Sequence, residues 1–227
     1  MDDVCVVVPA FNEAGSITEV VTSLQAHFPH VVCVDDGSTD ETALLARAAG
    51  ATVLRHVVNR GQGAALQTGF DHVARSTTAA YVVTFDADGQ HLVTDAVAMV
   101  TSAREHGLDV VLASRFLGRC ESMPLSRRVL LRLAIHFSRR TTGLPLTDTH
   151  NGLRVLSRAA LRTVRLEFPG MAYASELESA VARAGLPWAE VPTTVVYTDY
   201  SRAKGQRNSN AVNIVFDLAV QRLRYAR

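Results

Sequence analysis

The chain has 227 residues, 48% of them hydrophobic and 20% charged, a balance that excludes a disordered, collagen-like or coiled-coil protein. At this length a chain buries roughly 70% of its unfolded surface and needs no metal or disulfide to hold its core. The formal charge of +1 gives no overall basic field for nucleic acid, and three cysteines are too few and too odd in number for a disulfide framework.

The opening MDDVCVVVPA carries acids where a signal peptide carries positive charge, and no apolar run approaches the ~18 residues that span a bilayer. The expected location is therefore the cytoplasm. Short β-branched runs at Val4–Val8, Val31–Val34, Thr52–Leu54, Tyr81–Phe85 and Val110–Ala113 read as buried parallel strands. Between them Ser16–His27, Asp40–Ala49, Ala64–Arg75 and Val93–Glu105 show helical spacing, with Ser38 or Asp40 as a cap for the second helix. Cys5 and Cys33 fall in the strands as small core residues, and Cys120 in a loop-like stretch. The second half adds a basic amphipathic helix at Pro124–Arg140, a strand at Leu153–Leu156, a helix at Tyr173–Ala184, a strand at Ala189–Tyr197 and a last helix from about Asn210. This order predicts one α/β domain built on a doubly wound, mainly parallel sheet.

Each of the first five strands is followed by polar residues: Pro9-Ala10-Phe11-Asn12-Glu13, Asp35-Asp36-Gly37-Ser38, Asn59-Arg60-Gly61-Gln62-Gly63, Asp86-Ala87-Asp88-Gly89-Gln90 and Ser114-Arg115. In an open α/β sheet the strand C-termini share one rim, where ligands bind. Asp86 and Asp88, two apart, leave the strand end on one side, and two close carboxylates repel unless a cation lies between them. Their hard oxygens suit Mg²⁺ or Mn²⁺, with Gln90 as a neutral third ligand. Asp35 and Asp36 precede a turn and are placed to accept hydrogen bonds from a base or ribose, whereas Asn12 and Glu13 either cap a helix or line a ligand. Arg60 is available for phosphate. No GxGxxG or GxxxxGK[ST] occurs, which disfavours hydride transfer and P-loop chemistry.

The segments VVVPAFNEAGSI, VDDGSTDET, NRGQGAALQTGF, FDADGQH, ASRFLG, TDTHNGLR and YSRAKGQ, spread over Val4–Gln206, resemble the GT-A glycosyltransferases of family 2. Within that family the resemblance is to dolichyl- and polyprenyl-phosphate sugar synthases. It implies a GT-A fold, with residues 1–115 as nucleotide-binding half and 116–227 as acceptor-binding half. It also implies that Pro9, Ala10, Asn12, Glu13, Asp35, Asp36 and Ala87 line a UDP- or GDP-sugar. By the same resemblance Asp86, Asp88 and Gln90 hold the metal, and Arg115 meets the acceptor phosphate. Asp148 stands at the position of the catalytic carboxylate, and Arg202 and Lys204 form a lid over the diphosphate. The synthases carry lysine where Gln62 stands.

A phosphate acceptor is already anionic and needs positioning by arginines; a hydroxyl acceptor needs a base, for which Asp148 is the candidate. Asp148 acts either as that base or by orienting Arg115 or Arg154. The expected reaction is metal-dependent, inverting transfer to a polyprenyl phosphate, with a saccharide hydroxyl as the alternative acceptor. His91 is expected in a supporting role, and His150 as a weaker acid–base candidate. Arg128, Arg132 and Arg139 share one face of the basic helix, opposite Leu130, Leu133, Ala134 and Phe137. That helix either touches an anionic membrane or packs on the sheet. The last helix docks on a membrane, a partner subunit or its own domain, leaving a small membrane-protein partner or a homo-oligomer open.

Overall fold

Strand β1 (Val4–Ala10) is buried along its whole length and lies third in a seven-stranded sheet, between β2 and β4. The chain was described by a computed structural model covering residues 1–120, 125–149, 151–168, 170 and 172–196. After β1 come α1 (Ile17–Gln25), β2 (His30–Asp35), α2 (Thr42–Ala48), β3 (Thr52–Arg55), α3 (Gln62–Ser76) and β4 (Tyr81–Thr84). The chain continues through α4 (Val93–Glu105), β5 (Val110–Cys120), α5 (Leu125–Thr142), β6 (Arg154–Ser157), α6 (Arg158–Thr163), α7 (Tyr173–Ala184) and β7 (Trp188–Val195).

Alternation along β1 explains the layers. Val4, Val6 and Val8 point to one face with Ile17, Val21 and Leu24 of α1 and Met99 and Val100 of α4. Cys5 and Val7 point to the other, with Leu66 and Phe70 of α3 and Leu177 and Val181 of α7. A period of two in the strand against one apolar stripe per helix gives a helix–sheet–helix sandwich. α5 packs against α7.

The strand order is β3-β2-β1-β4-β6-β5-β7. β3, β2, β1 and β4 run parallel, as does β7 beside β5, while β6 is antiparallel to both β4 and β5. Because β6 enters from the rim, Arg154 at its start pairs with Thr84 at the end of β4. β5 runs on to Cys120 alongside β7, with a register irregularity between Ser114 and Arg119. Ser114, Arg115 and Cys120 thus belong to the strand and not to a loop after it, a correction to the boundary expected at Ala113. Ser38 does not cap α2; it accepts from Asn12 N–H at 2.9 Å. Of the apolar face expected for the basic helix, Ala134 is buried and Leu130 and Phe137 are half-buried, whereas Leu133 is 64% exposed. The buried positions are Leu131, Ala134, Ile135 and Ser138. Among the described residues no helix is long and apolar enough to cross a membrane.

Candidate active site

The loops after β1 and β2 are laced together. Asn12, held at φ 54°, donates its N–H to Ser38 Oγ and accepts from Thr39 N–H at 2.9 Å. Asparagine tolerates this left-handed backbone better than most residues. Glu13 N–H donates to Thr42 Oγ1 at 2.8 Å. Pro9 and Ala10 are buried at the end of β1.

Asp35 and Asp36 are both buried and engaged within the protein. Asp35 Oδ1 accepts from Ser38 N–H at 3.1 Å, and Arg55 Nε lies 3.0 Å from Oδ2. Asp36 takes the N–H groups of Arg60 and Gly61 at 2.9 and 2.7 Å and contacts His56 Nδ1 at 2.6 Å, while Thr68 holds the far ring nitrogen. Asp36 therefore shapes the turn that enters α3, and leaves the Arg60 side chain exposed at the rim.

Asp86 and Asp88 lie on the turn past β4 rather than in the strand. Asp86 is clamped from three sides. Gln62 Nε2, at the start of α3, donates to Oδ1 at 3.0 Å, and His91 Nε2 lies 3.0 Å from Oδ2. The Gly152 backbone presses on the same carboxylate: a Cβ there would stand 2.0 Å from Oδ2. Burial works to raise the Asp86 carboxyl, but the His91 hydrogen bond and charge, with Arg154 and Arg115, hold it below the usual carboxylate range. Asp88 responds the other way. Burial and the neighbouring Asp86 push it up to about 6, against His91 and a hydrogen bond from Gln90 N–H. Ser16 Oγ donates to the Ala87 carbonyl at 2.7 Å, and Val196 N–H donates to the Gln90 carbonyl at 3.0 Å, so the turn is tied to α1 and to the end of β7. His91 stacks edge-on against Phe85, and its Nδ1 is buried without a hydrogen-bond partner among the described residues.

Across the rim, Asp148 Oδ2 accepts from Arg115 N–H at 2.9 Å and from Arg115 Nε at 2.7 Å. Asn151 Nδ2 reaches the same oxygen at 3.3 Å, and Thr149 N–H donates to Oδ1 at 2.8 Å. Glu190 on β7 receives the N–H groups of Thr147 and Asp148. Glu178 on α7 accepts from Ser138 of α5 at 2.5 Å and from Thr149 at 2.9 Å. Burial pushes its carboxyl up to about 7, with the two hydroxyls and Arg154 opposing. Arg154 is itself buried, 5.1 Å over the Tyr173 ring.

The structure thus brings Pro9, Ala10, Asn12, Glu13, Asp35, Asp36, Arg60, Asp86, Ala87, Asp88, Gln90, Arg115 and Asp148 to one rim of the sheet. Arg202, Lys204, His150 and the helix from about Asn210 lie outside the described residues. Sequence reasoning missed Gly152, Glu178 and Glu190 and took Gln62 only as a departure from a pattern. The available signal for Glu178 was its spacing: it follows Ala174 at i+4 on the buried side of α7, where an unpaired acid does not belong.

Fold and rim together define a GT-A glycosyltransferase. The chain belongs to glycosyl transferase family 2, whose model matches residues 5–165. It is 35% identical to the uncharacterized protein MJ1222 of Methanocaldococcus jannaschii, covering 98% of this chain and 93% of that one. It is 30% identical to the UDP-N-acetylglucosamine–dolichyl-phosphate N-acetylglucosaminyltransferase of Methanococcus voltae, covering 88% of each. Among solved structures, glucosyl-3-phosphoglycerate synthase of Mycobacterium tuberculosis with Mn²⁺, UDP and glucosyl-3-phosphoglycerate superposes with a TM-score of 0.68. That match has 20% identity and covers 95% of this chain and 78% of the other, a likeness of fold.

Proposed function

We propose that this glycosyltransferase moves a sugar, with inversion, from a UDP- or GDP-sugar to the phosphate of a polyprenyl phosphate at the inner face of a membrane. The observation that carries the choice of acceptor is the state of Asp148. Its two oxygens already take four donors, two of them from Arg115, so it is poorly placed to accept a further proton from a hydroxyl. An acceptor that is anionic before it binds needs no such base. The dolichyl-phosphate named as acceptor of the Methanococcus voltae relative supports the same choice.

Residues 1–115 form the donor half. Pro9, Ala10, Asn12 and Glu13, with Asp35, Asp36 and Ala87, wall the nucleotide, and Arg60 faces its phosphates. Asp86, Asp88 and Gln90 offer hard oxygen donors that fit Mg²⁺ or Mn²⁺, and the carboxyl of Asp88, raised to about 6 beside Asp86, marks a place where added positive charge is favourable. A divalent ion there supplies Lewis-acid stabilisation of the diphosphate leaving group. The Mn²⁺ and UDP in the Mycobacterium tuberculosis structure support this assignment.

Residues 116–227, with Arg115, form the acceptor half. Asp148 fixes the Arg115 guanidinium beside the acceptor phosphate, and an oxygen of that phosphate attacks the anomeric carbon from the side opposite the leaving diphosphate. Arg202 and Lys204 close over the diphosphate and neutralise charge as it develops. Preorganised groups of this kind are commonly the largest catalytic contribution.

The test is direct. The purified full chain, with Mg²⁺ or Mn²⁺, is given radiolabelled UDP- and GDP-sugars with and without a polyprenyl phosphate. Label passing into the lipid phosphate is expected. Transfer only to a free saccharide would overturn the reading.

A further inference from the structure

We infer that Glu178 of α7 is a positioning residue for the transfer: through Thr149 it holds Asp148, and so Arg115, in register with the acceptor. The inference rests on the proposed function for the identity of that acceptor, and on geometry alone for the coupling.

Residues 147–149 belong to neither helix nor strand, so no ladder of backbone hydrogen bonds fixes the carboxylate of Asp148. Side chains from other elements fix it instead. The Ser114 hydroxyl of β5 lies 2.7 Å from that of Thr147. Glu190 of β7 takes the N–H groups of Thr147 and Asp148, at 2.7 and 3.0 Å. Glu178 accepts from the Thr149 hydroxyl at 2.9 Å, and the Thr149 N–H donates to Asp148 Oδ1 at 2.8 Å. Thr149 therefore joins two carboxylates, with its side chain on Glu178 and its backbone on Asp148. The other oxygen of Asp148 carries Arg115. A shift of Thr149 thus reaches the Arg115 guanidinium through a single carboxyl group.

Glu178 is suited to holding rather than to reacting. Its second oxygen accepts from Ser138 of α5 at 2.5 Å, so one carboxylate spans α7, α5 and the loop. Glu178, Ser138 and Thr149 are 2%, 1% and 2% exposed, which denies the hydroxyls water as an alternative partner. Burial pushes the carboxyl up to about 7, with Asp148 adding to the rise and the two hydroxyls and Arg154 opposing it. An apolar side chain would fill this place in α7 at lower cost, and titratable groups so displaced concentrate at functional sites. Glu176 marks the contrast. It is also buried on α7, but among the described residues its hydrogen bonds run to the N–H groups of Glu167 and Phe168, not to residues 147–149.

The experiment measures steady-state transfer by the full chain from a UDP- or GDP-sugar to detergent-dispersed polyprenyl phosphate. Glu178→Ala and Thr149→Val are each expected to raise the acceptor KM about tenfold, with donor KM and Mn²⁺ affinity near wild type. The double variant should be no worse than the more impaired single one, because both changes remove the same interaction. Glu178→Gln and Thr149→Ser keep that hydrogen bond and should restore the acceptor KM. Without any substrate, hydrogen exchange of the Arg115 amide, followed by NMR, should quicken about tenfold in Glu178→Ala and in Thr149→Val. Glu176→Ala, matched in burial, should leave the acceptor KM and the Arg115 exchange near wild type. Should Glu178→Ala fail to fold, Thr149→Val carries the same test. An unchanged acceptor KM or unchanged Arg115 exchange in Thr149→Val, additive effects in the double variant, or an equal effect of Glu176→Ala would overturn the inference. A wild type that transfers nothing to polyprenyl phosphate, while Arg115 exchange responds as stated, would instead overturn the proposed function and leave the coupling standing.

Discussion

Asp148 holds Arg115 at two points, through the backbone N–H and through Nε, on a single carboxylate oxygen. The side chains are 1% and 6% exposed, so this is a buried ion pair whose geometry is fixed from both ends. Asp148→Ala would leave a guanidinium buried without its counter-charge, a change that costs about 3–5 kcal/mol. Chemical denaturation should show that loss. Asp148→Asn, which keeps the shape, should retain most of the stability while raising KM for the lipid phosphate more than it lowers kcat. A base would show the reverse pattern, with kcat collapsing and KM unchanged.

Gly152 is the only residue type that fits against Asp86 at this approach, since a Cβ would stand 2.0 Å from its Oδ2. Gly152→Ala should displace the carboxylate and cut turnover at least tenfold, with the circular dichroism of the fold preserved. Full activity in that variant would show that the position of Asp86 does not matter.

His91 touches Asp86 through Nε2 and Phe85 through its ring. His91→Phe keeps the ring and removes the donor. Partners of metal-binding carboxylates that are lost in this way typically weaken the ion about 10–100-fold. Calorimetric titration with Mn²⁺ should show a weakening in that range.

Glu178 gives a prediction in pH. Burial raises its folded carboxyl from 4.5 to about 7, so between those values the folded chain holds a proton that the unfolded chain has released. Stability therefore falls as pH rises through that window. Glu178→Gln removes this contribution, and the difference in urea midpoint between variant and wild type should grow in the variant's favour from about pH 5 to about pH 8.

Much of this site is written locally in the sequence. FDADGQH, PAFNE and VDDGS each sit at a strand end, and strand periodicity alone places them on one rim. What escapes local reading is direction and partnership. The run Leu153–Leu156 is equally apolar read either way, so its antiparallel insertion between β4 and β5 had no signature. Gln62 and Gly152 meet Asp86 only because α3 and the approach to β6 converge there. Helix α5 carries two apolar arcs, Leu130–Leu133–Phe137 and Leu131–Ala134–Ile135. Periodicity reports both, and packing against α7 selects the second. The carboxylates of Asp35 and Asp36 read as ligand acceptors in sequence; that they also brace their own loops, through the N–H groups of Ser38, Arg60 and Gly61, was not legible there.

If Asp86 and Asp88 hold a divalent ion that in turn holds the sugar donor, donor binding requires both the ion and the carboxylates. Calorimetry of UDP- and GDP-sugar binding to the full chain, with and without Mn²⁺ and with wild type beside Asp88→Asn, tests it most directly. Donor binding is expected to require Mn²⁺ and to be lost in the variant. Equal binding without the ion, or equal Mn²⁺-dependent binding by Asp88→Asn, would contradict it.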